Sequence, residues 1–469
     1  MKHTPTIRAE LDRYLQQEGL NLARFGKIAG INRGAVSAIV SGNKPISINQ
    51  LDQITEAMDL PEGHFYDLFI ENFIIDHPPN MRRIEPFLHR CVELNKLDTI
   101  RKVVGVIMDN PLYSSKLFEI AEDLFAQGQH EAALILYENV AEVEKYQHSE
   151  RLALCQYRIF TIQVGDDQRQ NLRVATVFEV FVERLDEIDQ LDALKDLANV
   201  YRSLRKWDKV DEMARKMRGK AEIQYSFIHN EKRKEGTKEK KTRGPLFGYI
   251  AYADLLCGSV CEAQGDYQQA LQYTYAYADL DWVLETDDDT QHWVNLFKSW
   301  AEGNTYVYKL LSGDISVLHD YVEYIAETVA SNEQISKLLN VIIAANQYSI
   351  DVDDILKRFE TEIASFSQQL SSDDMYTQQV IPDYIAWFGY ELAYYYLHRG
   401  VYNDGFKHLM YSMVSYHTLN NETYFINCMG LFLHFKDYAV PETKAEFLNL
   451  IEKVWMKNVE KNGTAAHSG

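Results

Sequence analysis

The chain has 469 residues, of which 46% are hydrophobic and 12% aromatic, so it can bury a large core and is expected to contain more than one folding unit. The formal net charge is −21, but residues 1–60 contain seven basic against six acidic side chains, so the rest of the chain carries the whole negative excess. An acidic surface repels polyanions, which leaves only the N-terminal part as a contact surface for nucleic acid.

Cysteine usage indicates a reducing compartment. Five cysteines, an odd number, are scattered along the chain, and neither a signal peptide nor an apolar run long enough to span a bilayer is found, so we expect a cytoplasmic protein without a membrane partner. Cys257 and Cys261 lie four residues apart on one helix face, which is compatible with half a metal site. No histidine or second cysteine pair lies near them, so packing is favoured and no metal or cofactor is predicted.

Residues 21–44 predict two short helices joined by a tight turn. Asn21 can cap a first helix whose apolar side carries Leu22, Phe25 and Ile28, and Gly30 provides the positive φ that ends it. Asn32 can cap a second helix, which ends at Gly42. Its buried side is predicted to carry Val36, Ile39 and Val40, and its open side Arg33, Gly34, Ser37 and Ala38. This spacing is typical of a helix-turn-helix.

The flanking segments agree with that interpretation. Residues 7–15 form an amphipathic helix through Ile7, Leu11, Tyr14 and Leu15, and Ser47 with Gln50 predicts a capping box before a further helix. Residues 5–70 thus resemble the XRE-type family of bacterial DNA-binding domains, which is related to the phage repressor Cro. The matching residues are Phe25, Gly26, Gly30, Ile31, Val36, Ser37, Ile39 and Gly42. The alternative is a small helical bundle that only docks on the rest of the chain.

The resemblance implies which residues contact DNA. Base edges would face Arg33, Gly34, Ser37 and Ala38, while phosphates would be contacted by Asn21, Lys27, Asn43 and Lys44, with Asn32 at the start of the reading helix. Two of the four reading positions lack a hydrogen-bonding side chain, which departs from the glutamine or arginine often found there. Direct readout would rest on a guanine contact from Arg33, with the remaining specificity coming from DNA shape.

Residues 61–80 predict one more helix and then a break at Pro78 and Pro79, taken as a domain junction. From Met81 to Val459 apolar residues recur at three- and four-residue intervals, which predicts an all-α architecture. The predicted domains are residues 1–75 (helix-turn-helix), 76–230 (first half of a repeat array), 231–245 (basic flexible loop), 246–462 (second half) and 463–469 (flexible tail).

A degenerate repeat underlies the helical pattern: a small residue, a bulky one, the turn glycine, a ring, a small residue and another ring. The clearest copy is Ala121, Leu124, Gly128, His130, Ala133 and Tyr137; others follow around Arg205, Gly265 and Gly400, and a weaker one around Gly313. The pattern resembles the tetratricopeptide repeat, which implies an α-solenoid of helix pairs. An irregular helical bundle is the alternative.

The segment EKRKEGTKEKKTRGP, residues 231–245, has seven basic and three acidic side chains and no apolar one. Such a composition predicts a solvated loop between the two halves of the array. The competing interpretation is a second phosphate-binding patch that includes the preceding basic residues Arg202, Arg205, Lys206, Lys209, Arg215, Lys216, Arg218 and Lys220.

A stack of helix pairs has a concave surface lined by the first helix of each pair, and such surfaces bind extended peptides. Asparagine can hold a peptide backbone through both donor and acceptor, and a Lys-Arg pair can hold a carboxylate. The repeat offsets place the following residues in the groove: Lys195, Asn199, Arg202, Trp300, Asn304, Lys337, Asn340, Trp387, Tyr390, Tyr394 and Asn427.

A helix-turn-helix joined to such an array resembles the peptide-pheromone receptors of Gram-positive bacteria, the Rgg, PlcR, NprR and PrgX group. The resemblance implies a homodimeric transcription regulator that binds a double-stranded DNA operator and a short signalling peptide, which shifts dimer geometry. Two alternatives remain: a regulator that binds a phosphorelay protein, and a scaffold. No zinc-protease motif, phosphate loop, nucleophile elbow or Cys-His ligand set occurs in the sequence, so an enzyme is not predicted.

Overall fold

The computed structural model describes residues 6–43, 45–75, 80–108, 110–230, 242–328, 331–365, 375–419 and 421–461. These residues form 24 α-helices, with short 3-10 segments and a π-helical turn at Glu71–Ile75, and no strand is present in the described ranges. The protein is therefore all-α, as the sequence predicts. The chain divides into two compact units, Met1–Asp186 and Glu187–Gly469. The predicted domain boundaries at residues 75, 230 and 245 stay predictions, and the predicted tail lies outside the described residues.

The first unit contains eleven helices, which begin with the predicted helix-turn-helix. They are α1 (Ile7–Gln17), α2 (Leu22–Ala29), α3 (Arg33–Val40), α4 (Ile48–Ala57), α5 (Tyr66–Ile70), α6 (Met81–Glu93), α7 (Leu97–Ile107), α8 (Ser114–Ala126), α9 (His130–Glu144), α10 (Glu150–Gln163) and α11 (Gln168–Glu179). A continuous cluster of buried apolar side chains runs from Ile7 to Cys155. The helix-turn-helix and the helices that follow it in this unit therefore share one core.

The second unit contains thirteen helices. They are α12 (Glu187–Ser203), α13 (Trp207–Asn230), α14 (Leu246–Ala263), α15 (Tyr267–Ala278), α16 (Asp288–Leu311), α17 (Leu318–Ala326), α18 (Ser331–Tyr348), α19 (Asp353–Arg358), α20 (Glu360–Ser365), α21 (Met375–His398), α22 (Tyr402–Thr418), α23 (Glu422–Phe435) and α24 (Pro441–Lys461). Consecutive helices pack against one another, most extensively α21 with α22, α13 with α14, and α14 with α15.

The predicted turn of the helix-turn-helix is formed as expected, with one difference in the first helix. The Asn21 side chain caps α2, and Gly30 ends it in the left-handed conformation at φ +67°. A Cβ on Gly26 would lie 2.4 Å from the carbonyl oxygen of Ile31, so a glycine is needed where α2 approaches the turn. Ile28, predicted to be buried, is 56% exposed. The buried positions of α2 are instead Phe25, Gly26 and Ala29, because the two small residues bring this face against the turn.

Each predicted repeat turn reverses the chain through a residue with positive φ. The five turn residues are Gly128 (φ +76°), Arg205 (+55°), Gly265 (+76°), Gly313 (+98°) and Gly400 (+79°). Four of the five positions hold glycine, the residue that adopts this conformation without strain. The small and bulky positions of the clearest copy, Ala121, Leu124, Ala133 and Tyr137, are all buried between the paired helices, whereas the ring of His130 is exposed.

One helix of the described chain, Leu246–Ala263, is long and apolar enough by length and composition to cross a membrane. By length and composition, the expectation that the sequence contains no such run is wrong. More than half of this helix, 56%, is buried inside the protein, and the core helix of a helical domain meets the same criteria. In this structure α14 packs against α13 and α15.

The turn conformation generates a matched test in the first unit. An added Cβ would meet no atom within 4 Å at either Gly128, in the α8–α9 turn, or Gly105, in the exposed face of α7. The two sites differ in φ, so we expect Gly128→Ala to lower the free energy of unfolding by ~1 kcal/mol. Gly105→Ala should raise it by ~0.5–1 kcal/mol through helix propensity. Urea unfolding followed by circular dichroism measures both, and shifts of the same sign would contradict the role of the turn.

Candidate functional site

The outer face of α3 is open to solvent. Arg33, Gly34 and Ser37 are exposed and Ala38 is half-buried, while Val36 and Ile39 pack into the core on the opposite side. The Oδ1 atom of Asn32 accepts a hydrogen bond from the backbone N–H of Ala35 at 2.7 Å, which fixes the residue at which α3 begins. A short, capped helix with an exposed arginine in its first turn can enter a DNA major groove.

Three of the four predicted phosphate-contacting residues lie on the surface. Lys27 and Asn43 are exposed, and so is Asn21, whose Oδ1 atom accepts from the backbone N–H of Arg24 at 2.9 Å. The first-turn N–H groups of α2 add the partial positive charge of a helix N-terminus, which favours a phosphate nearby. Lys44 lies outside the described residues.

Polar contacts connect the helix-turn-helix to the next helices of the same unit. The carboxylate of Asp52, in α4, accepts hydrogen bonds from the hydroxyl of Tyr66 at 2.9 Å and from Nε of Arg90 at 2.8 Å. The ring of Tyr66 also packs edge-on against Phe87, with centroids 5.0 Å apart. These contacts connect α4 to helices α5 and α6.

The second unit contains a cavity of about 830 Å³ between helices α12, α14, α16, α17, α18 and α21. Its volume lies within the range of small-molecule and cofactor sites. Eight of the eleven predicted groove residues line it: Lys195, Asn199, Arg202, Trp300, Asn304, Lys337, Asn340 and Trp387. The cavity thus brings together residues that are nearly 200 positions apart in the sequence.

Cations on the cavity wall are arranged beside aromatic rings. The Nζ atom of Lys195 lies 5.8 Å from the ring centroid of Tyr252, and that of Lys337 lies 4.6 Å from the ring centroid of Tyr324. Arg202, in the last turn of α12, adds a third positive charge. These distances are within cation–π range, which keeps the ammonium groups on the wall while leaving them able to pair with an anionic ligand group.

Asn199 and Asn304 each use one of the two polar atoms of the side-chain amide in a hydrogen bond to a tyrosine. Asn199 accepts a hydrogen bond from the hydroxyl of Tyr252 through Oδ1, and Asn304 donates from Nδ2 to the hydroxyl of Tyr277 at 2.8 Å. The donor of Asn199 and the acceptor of Asn304 have no hydrogen-bond partner among the residues that the structure describes. One donor and one acceptor are the complement of a peptide group.

Three predicted groove residues do not line the cavity. Tyr390 and Tyr394 pack instead against the apolar cluster that α21 forms with α22 and α23, and Tyr394 stacks on His398 with ring centroids 3.9 Å apart. Asn427 is exposed on α23. The predicted face continues along α21, but past Trp387 the side chains of Tyr390 and Tyr394 pack toward α22 and α23.

Sequence reasoning missed part of the cavity, although a signal was present. The predicted groove positions of α12 lie ten, six and three residues before its turn residue Arg205. The same offsets before Gly265 give Leu255, Ser259 and Glu262 in α14, of which the first and last line the cavity. The other missed rings, such as Trp293 and Tyr384, follow no such spacing.

The cysteine pair lies in α14, with Cys257 buried and Cys261 half-buried. Burial raises the pKa of the Cys257 thiol to about 12, so it is uncharged at neutral pH. Within the described ranges no three His, Cys, Asp or Glu side chains come together in a way that could hold a metal ion.

Comparison with known proteins finds little similarity. No protein-family model matches the sequence, and no curated protein matches it. Among solved structures, PlcR from Bacillus thuringiensis, in complex with the peptide PapR7 and DNA, aligns with 11% identity over 91% of this chain and 99% of that chain, with a TM-score of 0.18. A likeness at this TM-score supports no conclusion about this chain.

A second, smaller cavity of about 250 Å³ lies beside α13 and α14 and is lined by Arg218, Glu222, Tyr225, Asp254 and Trp282 among others. Asp254 is buried, and one of its carboxylate oxygens lies 3.1 Å from Nε of Arg218. Burial raises the pKa of Asp254 to about 6, against the opposing effect of the Arg218 charge.

This pKa predicts a pH-dependent stability. The unfolded chain holds its aspartate protons less tightly, so the stability contributed by Asp254 is present below pH ~4 and is lost as the pH rises toward about 6. We expect Asp254→Asn to gain up to ~3 kcal/mol relative to the unmodified protein between pH 4 and pH 7.

Urea unfolding at the two pH values measures this difference. Asp208→Asn, which removes an exposed carboxylate from α13, is the matched control for the loss of one negative charge. Parallel pH profiles for Asp254→Asn and the unmodified protein would contradict the shifted pKa.

Proposed function

We propose that this protein is a sequence-specific DNA-binding transcription regulator whose second unit binds a short peptide. The observation that carries the proposal is the exposed face of α3, which presents Arg33 and Ser37 one turn apart on a capped helix. The charge distribution supports it, because the first 60 residues are nearly neutral while the rest of the chain is strongly acidic. Helix-turn-helix proteins of this kind bind as dimers on two half-sites, so we include a homodimer in the proposal.

The cavity of the second unit supports a peptide as the regulatory ligand. Aromatic rings supply apolar contact area, Asn199 offers an amide donor and Asn304 an amide acceptor. Positive charge comes from Lys195, Arg202 and Lys337. A pocket that is mainly apolar with a few convergent polar groups is the usual form of a ligand site. A peptide that binds two arrangements of the protein with unequal affinity would shift their populations, and the affinity for DNA would follow.

The DNA part is tested by two exposed cations. Arg33→Ala should reduce the difference between the binding free energies for operator and random DNA by ~1–3 kcal/mol, because a bidentate guanine contact would be lost. Lys27→Ala should weaken operator and random DNA alike and reduce the salt slope by about one, as loss of a phosphate contact does. Operators selected from random duplexes and fluorescence anisotropy at several salt concentrations provide the measurement. Equal effects of both substitutions on both DNAs would contradict the assignment, and no preference for any duplex would favour a scaffold.

The peptide part is tested with the cavity asparagines. A binding peptide is first selected from a library of short random peptides on the full-length protein. Calorimetric titration with Asn199→Ala and Asn304→Ala should then show weaker binding by ~0.5–1.5 kcal/mol each, the value of one hydrogen bond. Asn427→Ala, an exposed asparagine that does not line the cavity, is the matched control. Undiminished binding to both cavity variants would remove this site from the proposal.

A further inference from the structure

The main cavity contains one carboxylate that lacks a countercharge. Glu262, near the end of α14, lines the cavity and accepts a hydrogen bond from the hydroxyl of Tyr308 at 2.9 Å. No lysine, arginine or histidine within the described ranges forms an ion pair with it. Burial raises the pKa of Glu262, and the hydrogen bond from Tyr308 is the one opposing influence. A carboxylate held in such a place costs free energy until a cation or a proton reaches it.

Aromatic rings line the same cavity as this carboxylate. Burial raises the pKa of Tyr321 and Tyr384, and the negative charge of Glu262 raises both further. Both tyrosines line the cavity, together with Trp300. Ring faces carry negative potential, so a cation beside Glu262 would be stabilised by the rings as well as by the carboxylate.

The positive side chains of the cavity belong to α12 and α18, whereas Glu262 lies on α14. The cavity wall thus carries binding groups of both signs, on different helices. A ligand that carries an ammonium group at one point and a carboxylate at another satisfies both, as a peptide with free termini does.

From these observations we propose that the cavity binds the amino terminus of its ligand, with Glu262 receiving a primary ammonium group in a cavity whose wall carries the rings of Trp300, Tyr321 and Tyr384. The inference rests on the proposed function in taking the natural ligand to be a peptide. Glu262 must be ionised in the complex. The bound ammonium group therefore takes the place of a proton on Glu262 and supplies the countercharge that the described residues do not provide there. A proton-bearing Glu262 with only a structural role would instead show no preference for cations.

Two small probes of equal shape test the proposal on the full-length protein. Phenethylammonium and phenethyl alcohol carry the same ring and chain and differ only in the charged group. Three of the six tryptophans, Trp293, Trp300 and Trp387, line the cavity, so intrinsic fluorescence reports binding of either probe. We expect phenethylammonium to bind about tenfold more tightly than the alcohol, the effect of an ion pair assisted by cation–π contact.

Glu262→Gln should abolish this preference while keeping an oxygen acceptor for Tyr308. Glu302→Gln, which removes an exposed carboxylate from α16, should retain it. Equal affinity of the unmodified protein for the two probes would overturn the proposal, and this comparison needs no variant to fold. Retention of the preference in a folded Glu262→Gln variant would overturn it as well. Failure of the unmodified protein to select any DNA sequence, with the ammonium preference present, would overturn the proposed regulator and leave the ammonium site in place.

Discussion

The helices can pair because the chain reverses direction at a residue whose backbone has the left-handed conformation, with positive φ. After each reversal the next helix packs antiparallel to the last, and the small residues of both helices allow close approach: a Cβ on Gly405 would lie 2.7 Å from the side chain of Leu397 across the α21–α22 pair. Glycine performs the reversal at four of the five repeat turns. The first helices of successive pairs are thereby placed side by side, and in the second unit their side chains form the walls of the cavity.

The exception among the turns shows what a side chain adds there. Arg205 has φ +55°, which is strained for a residue with a Cβ. Its guanidinium forms an ion pair with Asp383 in α21 and lies 5.8 Å from the ring centroid of Tyr424 in α23. The other repeat turns make no such contacts, because their turn residue is glycine, which has no side chain. The backbone of the α12–α13 turn is therefore strained at Arg205. The contacts of the Arg205 side chain with helices far away in the sequence offset the free-energy cost of this strain.

Local sequence signals predicted the features that depend on local physics. Asn21, Asn32 and Ser47 cap helices as expected, and the repeat turns fall where their glycines indicated, because caps and turns are determined within a few residues. The exposure of Ile28 was not predicted, since its side of α2 depends on where the small residues Gly26 and Ala29 pack. Tyr390 packs against α22 and not into the cavity. The repeat pattern did not predict this, because spacing along the sequence does not say which neighbouring helix a side chain packs against.

The arrangement of the cavity suggests how a ligand can act on the second unit. Its wall combines Arg202 and Asn199 from α12 with Trp387 from α21, while the ion pair between Arg205 and Asp383 joins the same two helices at one end. A ligand that contacts both helices is sensitive to their separation, because hydrogen bonds and ring contacts weaken within a few tenths of an ångström. Such a ligand binds one spacing better than others and stabilises it.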